Sequence, residues 1–311
     1  MKKMLFALVA MVAMVGCSKD ELLEVDREQI AFGDVFVDNA TRADYSSGNT
    51  VESFKVYGTA TGTGSLAGNT VQIFNGANVT RGNKVNGEAW DCDATAQYWL
   101  PNVEYNFAAI VDGEAAATTT LPATINHTVA DGEANKDLLY ATATVTTNAN
   151  AAPSGVNTNG VVAFNFSHLL SKIQFKIKNE TNQTYRVTSI AVTGVAEDGA
   201  YAVSTNTWTK SGNDTTNLTF GTATVAGGAT VAASETRQIL PVAQDLAVTI
   251  TYEVLDGNSN VVGTLTKSGT ISQTFVGNTV YVVTATLTGT AIDFSLGTVG
   301  GWSDEDGSIT I

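Results

Sequence analysis

The residues in this 311-residue chain that could do chemistry are few, and their spacing suits little of it. Two histidines are present, His127 and His168, and neither has the H-x-x-x-H partner or cysteine pair that holds zinc. Ser167 precedes His168, but adjacent side chains on a strand point to opposite faces, so they cannot act as nucleophile and base. His168 is expected to be structural, with a hydrogen-bonded ring. Cys92 stands between Asp91 and Asp93, acids that disfavour a thiolate, and reads as inert. Asp131, Glu133, Asn135 and Asp137 set oxygens at alternate positions, as calcium loops do. Lys136 occupies the place of the tight-turn glycine, however, and calcium is not expected. The glycines of 62–68 lack the Lys-Ser/Thr of a phosphate loop, and Asp304-Glu305-Asp306-Gly307 reads as an acidic turn. Trp90, Trp99, Trp208 and Trp302 would stack sugars if exposed, or fill sandwich cores if buried. No catalytic, cofactor or metal site is expected.

The net charge is −14. Nucleic acid and anionic lipid are held by Lys/Arg clusters, so neither is an expected partner, and the acids read as the soluble exterior of a surface protein.

The elements that precede any site are an address. Lys2 and Lys3 begin the chain, an apolar run extends from Met4 to Val15, and Gly16-Cys17 follows. This is the layout of a secretory signal over residues 1–16, too short to be a comfortable membrane span. Met14-Val15-Gly16-Cys17 resembles a bacterial lipobox, in which Cys17 is diacylated, becomes the new N-terminus and ties the chain to the outer membrane. With Cys17 acylated, Cys92 has no disulfide partner. Ser18-Lys19-Asp20-Glu21 resembles the surface-export signal of Bacteroidetes lipoproteins. Within the following tether, residues 30–37 read as a strand, with Phe32 and Phe36 on one face and Val35 and Val37 on the other, a pattern of burial on both faces.

From Val51 onward the chain is all-β. Apolar residues alternate in Tyr105-Phe107-Ala109-Val111, Leu139-Ala141-Ala143-Val145, Ile173-Phe175-Ile177 and Leu246-Val248-Ile250-Tyr252-Val254. Asp198-Gly199, Asp256-Gly257-Asn258 and Gly277-Asn278 read as turns between strands. The stretch 149–160, with Pro153, Gly155, Asn157 and Gly160, reads as a linker between two antiparallel sandwiches, 43–152 and 161–311.

Several phrases resemble the fimbrillin family of Bacteroidales. They are Tyr98-Trp99-Leu100-Pro101 with Tyr105-Asn106-Phe107, Lys136-Asp137-Leu138-Leu139-Tyr140-Ala141, and 164–173 from Phe164 to Ile173. Ile239-Leu240-Pro241 and the ending from Val299 to Ile311 fit the same pattern. The resemblance implies two transthyretin-like sandwiches in tandem after a lipidated propeptide, residues 17–42. It implies that an arginine-specific surface protease cuts Arg42–Ala43, removing the propeptide and its strand. Arg27 and Arg81 are worse placed, in the tether and inside a domain. A terminal strand of another fimbrillin subunit then fills the vacated groove, and an extracellular adhesive fimbrium grows by donor-strand exchange. The strand-like residues 30–37 on a removable segment fit a placeholder, because an open groove exposes edge amides and apolar pockets that a donor strand satisfies. Ile309 and Ile311 alternate about Thr310 and are the expected donor anchors. Ile292, Phe294 and Leu296 alternate too and would extend that donor; alternatively both stretches complete their own C-terminal sandwich.

Two further readings stay open. One is a monomeric surface lipoprotein that binds glycan or a host ligand; the other is an uncleaved pilus anchor or a tip subunit. Asp214-Thr215-Thr216 resembles an O-glycosylation acceptor and equally reads as a turn.

Overall fold

The computed structural model describes residues 28–37, 51–63, 68–82, 90–115, 120–156, 160–288 and 292–300. The first half contributes β1 (Phe32–Val37), β2 (Ser53–Gly62), β3 (Thr70–Arg81), β4 (Trp90–Cys92), β5 (Val103–Val111), β6 (Glu114–Ala115), β7 (Thr124–Thr128), β8 (Leu139–Thr147), β9 (Pro153–Ser154) and β10 (Val162–His168). The second contributes β11 (Ser171–Asn179), β12 (Thr184–Ala196), β13 (Asp198–Ala202), β14 (Thr207–Lys210), β15 (Thr215–Phe220), β16 (Ala223–Val225), β17 (Thr230–Ile239), β18 (Ala243–Leu255), β19 (Val261–Thr274), β20 (Thr279–Leu287) and β21 (Ile292–Gly300). One 3₁₀ turn, Gly132–Ala134, is the helical element among the described residues. The expected all-β class is what folds.

Alternation places the core. Tyr105, Phe107, Ala109 and Val111 turn inward from β5, and Ile173, Phe175 and Ile177 from β11. From β18, Leu246, Val248, Ile250 and Tyr252 are buried while Ala247 is exposed and Thr249, Thr251 and Glu253 are half-buried.

The first sheet runs β1-β10-β8-β5-β2-β3-β4, with β9 on β8. Its two ends approach each other: a Cβ added at Gly33 of β1 would stand 3.9 Å from Trp90 Cδ1 of β4. The second half forms two layers, β17-β11-β20-β21 and β15-β12-β18-β19, with β16 on β12. A small fourth sheet, β14-β13-β7-β6, takes two strands from each half.

Three local expectations meet the structure differently. Asp256-Gly257-Asn258 and Gly277-Asn278 are turns; the Asp256 carboxylate accepts from the N–H groups of Asn258 and Asn260, both at 2.8 Å, and Asn278 has φ +57°. Asp198-Gly199 is not a turn but the start of β13, paired with Thr128 and His127 of β7. Gly199 serves close approach instead, since a Cβ there would lie 2.7 Å from Leu240 Cδ1. The polar stretch 149–160 joins two strands of one sheet: β9 pairs with β8, and β10 pairs with β8 and β1, so the first sheet continues to His168.

Candidate strand-docking site

β1 carries the site. It is the first described strand, yet it completes the aromatic heart of the first sheet. Ile30 and Phe32 are buried there, and Phe32 meets Phe54, Phe74, Phe107 and Phe164 at ring-centroid separations of 6.4, 5.4, 5.8 and 6.0 Å. Burying each of these two side chains is worth roughly 1.5–3 kcal/mol. The sheet edge receives β1 in parallel register: Phe32 opposite Val162, Gly33 opposite Ala163, and Val35, Phe36 and Val37 opposite Phe164, Asn165 and Phe166. Ahead of the strand, Ile30 N–H donates to Gln97 O at 2.8 Å and Trp99 N–H to Glu28 O at 3.1 Å, so this segment is clamped from two sides.

The expectation of a strand buried on both faces is corrected here. A bulge between Gly33 and Val35 shifts the register by one residue, which returns Val35 and Val37 to the face of Phe32. Phe36 is left pointing outward, 60% exposed. Gly33 suits the bulge, because a Cβ would come within 2.9 Å of Val161 Cγ2.

The dependence is mutual. β10 pairs with β8 only at Ser167 and His168, through Tyr140 and Leu139, while β1 pairs along Val162 to Phe166. Phe164 and Phe166 are fully buried, so β1 is the main backbone partner that keeps them in place.

At the fixed end of β10, His168 Nδ1 is hydrogen-bonded to Asp137 Oδ2, both side chains being buried. The ring is thus structural, as its sequence setting suggests, and it unites the phrases 136–141 and 164–173. Nothing in the sequence marks Asp137 as its partner beyond an acid lodged beside two leucines. The other oxygens of the calcium-like spacing go elsewhere. Asp131 accepts from Thr219 N–H at 2.9 Å, Thr219 Oγ1 at 2.7 Å and Arg237 Nε at 3.1 Å. Asn135 accepts from Gln238 N–H at 2.7 Å and donates to Gln238 O at 3.0 Å. They form a clasp between the halves, and among the described residues no group of three metal-ligating side chains converges. Burial pushes the Asp131 carboxyl up, but the hydrogen bonds from Thr219, Gly132 and Arg237 outweigh it and hold the group below its ordinary value. His127 is held below its ordinary value by burial, partly offset by the Asp112 carbonyl 3.1 Å from Nδ1.

The tryptophans form no sugar platform among the described residues. Trp99 is 1% exposed, Trp90 packs on the first core, and Trp208 packs on the second with Nε1 donating to Leu169 O at 3.0 Å. The Cys92 thiol is pushed up by burial first, with Asp93 adding to it and a backbone hydrogen bond at Ala94 opposing. Arg81 closes β3 opposite Trp90, inside the sheet. Thr215 is exposed at the start of β15. Ile292, Phe294 and Leu296 lie on β21, pair with β20 and pack on their own core. Cys17, Arg42, Ala43, Trp302, Asp304 to Asp306, Ile309 and Ile311 lie outside the described residues.

The fold has solved counterparts. One, from Bacteroides ovatus and described as a candidate cell adhesion protein, is 16% identical with a TM-score of 0.54, covering 90% of this chain and 99% of its own. Another so described, from Bacteroides uniformis, is 18% identical with a TM-score of 0.48, covering 88% and 99%. The fimbrial anchor protein Mfa2 from Porphyromonas gingivalis is 9% identical with a TM-score of 0.38, covering 86% of this chain and 95% of its own. Among curated proteins none matches the sequence. The fimbrillin-like family model matches residues 41–302, most of the chain, and the chain belongs to that family.

Proposed function

We propose that this chain is a pilus subunit, exported to the cell surface as a lipoprotein on Cys17 and assembled after cleavage at Arg42–Ala43 by strand replacement. In this reading its halves are transthyretin-like sandwiches in tandem, and the product is an extracellular adhesive fimbrium. The observation that carries it is the seat of β1. A strand ahead of Arg42 supplies Ile30 and Phe32 to the core and the main backbone partner of β10. Removing it would uncover an edge and an apolar slot, which a strand from another subunit would fill by β-augmentation. Because β21 already pairs with β20 and covers the second core, the end of the chain with Ile309 and Ile311 is the better donor.

The test is to treat the purified, unlipidated precursor with an arginine-specific protease, then follow it by mass spectrometry and electron microscopy. Cleavage at Arg42–Ala43 followed by filaments or an oligomer ladder is expected, with Arg42→Ala staying monomeric. Resistance at Arg42, or a trimmed protein that stays monomeric, would overturn the stalk-subunit reading and favour an anchor that keeps its lipid or a monomeric binding protein.

A further inference from the structure

The sheet β17-β11-β20-β21 turns Ile173 and Phe175 of β11, and Tyr281 and Val283 of β20, toward its core. The alternate residues form the opposite face. There Lys172, Gln174, Lys176 and Lys178 make a row along β11. Beside them, in register on β20, stand Val280, Val282, Thr284 and Thr286. Val280 and Val282 form an apolar pair of their own, apart from both main cores. A chain with 16 cations against 30 acids thus sets three lysines on one strand face.

The face is not evenly wet. Lys172 and Val280, opposite each other, are 4% and 7% exposed, whereas Lys178 and Thr230 at the other end stand in solvent. Asn135 of the first half reaches the sheet at the neighbouring strand, through the backbone of Gln238. Neither Lys172 nor Lys176 stands free, and an ammonium as enclosed as that of Lys172 persists only beside an anion. Two acids that flank the row are taken, Glu180 by Lys178 at 2.6 Å and Glu235 by Arg237. Asp293 lies at the far end, opposite Thr286.

β21 runs antiparallel to β20 and brings Val299 opposite Val280, so residues 301–311 leave the sheet at the end where Lys172 lies. This segment contains Trp302, Asp304, Glu305 and Asp306, and no lysine or arginine. Two strand spacings, about 10 Å, separate β21 from β11, and the three residues 301–303 span about the same when extended. The first acid therefore falls at the row of Lys172. We infer that residues 301–311 dock on this face of their own chain, with Trp302 on Val280 and Val282 and the acids on Lys172 and Lys176. Taken with the reading of Ile309 and Ile311 as donors, on which this consequence rests, the contact is a latch. It holds the donor end on its own sheet until another subunit's groove draws it away.

The test uses the full chain with Cys17→Ala and Arg42→Ala, so that neither an acyl chain nor trimming intervenes. Its outcome then does not depend on whether strand replacement occurs. A water-soluble carbodiimide joins lysines to carboxylates they touch, and peptide mass spectrometry locates the bonds. Bonds from Lys172 or Lys176 to Asp304, Glu305 or Asp306 are expected, and within one copy when isotopically labelled and unlabelled chains are mixed. Acetylation of Lys172 by acetic anhydride should quicken about tenfold or more when Asp304→Asn, Glu305→Gln and Asp306→Asn are combined. Lys178, held by Glu180, should react as before. Lys176→Glu, at a half-buried position, should raise hydrogen exchange over 301–311 by about tenfold or more. Thermal unfolding verifies that each variant is folded. Bonds from these lysines only to acids elsewhere, bonds only between labelled and unlabelled copies, or a Lys172 indifferent to the neutralised segment would overturn the inference.

Discussion

Two edge strands near opposite ends of the chain, β1 and β21, occupy their sheets in different ways. β1 runs parallel to β10 and drives Ile30 and Phe32 into a fully enclosed aromatic cluster. β21 runs antiparallel to β20, and its Ile292, Phe294 and Leu296 remain half-buried on the flank of a core already closed by others. The first is a wedge and the second a cover. A wedge can be replaced only by something of like shape, whereas a cover contributes in proportion to the area it shields. Sequence distance from the terminus therefore says little about how much an edge strand matters; what it displaces from water decides that.

The contrast would break if the two central aromatics proved equal. Phe32→Ala is expected to cost about 3–5 kcal/mol, as for a large core truncation, and Phe294→Ala about half as much, both read by urea denaturation of the uncleaved protein. Next, His168→Ala tests how far β10 relies on its own anchor. Leaving the buried Asp137 without the imidazole should cost about 1–3 kcal/mol, and hydrogen exchange should rise along Val162 to Phe166 if β10 loosens as a unit.

Acid should affect the seam between the halves more gently. His127 is held below its ordinary value, so an unfolded chain takes the proton first as pH falls through about 6.5, and the stability present above that value is lost on acidification. Asp131 is likewise depressed, and its contribution, fully present above the ordinary carboxylate range, is lost as pH falls from that range down through the group's own lower value. Thermal scans should therefore show two steps of falling Tm, the upper flattened in His127→Gln and the lower in Asp131→Asn. The smallest effect belongs to Phe36→Ala, expected within about 0.5 kcal/mol because the ring stands in water.

The all-β class was plain in the alternation of 173–177 and 246–254, because one wet face and one dry face leave a period of two in the residue types. Phe36 shows where such reading ends. A single bulge after Gly33 inverts the parity of every residue beyond it, and bulges leave no local sign stronger than a glycine. Asp198-Gly199 misled for a related reason: the glycine answers to Leu240, forty-one residues away in sequence, rather than to its neighbours. Pro153 and the glycines of 149–160 mark a change of direction, yet which sheet the chain enters next depends on partners such as Tyr140 and β1. Of the site, the strand at 30–37 was legible from its apolar residues, and His168 as a structural group. Its partnership with Asp137, like the clasp of Asp131 on Thr219 and Arg237, is a product of folding that no local pattern carries.

The parallel pairing of β10 also has a mechanical meaning. β10 leads through Leu169 and Leu170 into β11, which sits between β17 and β20 in the second half. A pull along any strand seated against β10 would load its ladder lengthwise, so that the evenly spaced hydrogen bonds share the tension in shear instead of parting one by one. The force would then pass through two residues into the middle of another sheet, with no slack loop between. A thread built of such units would be stiff along its length.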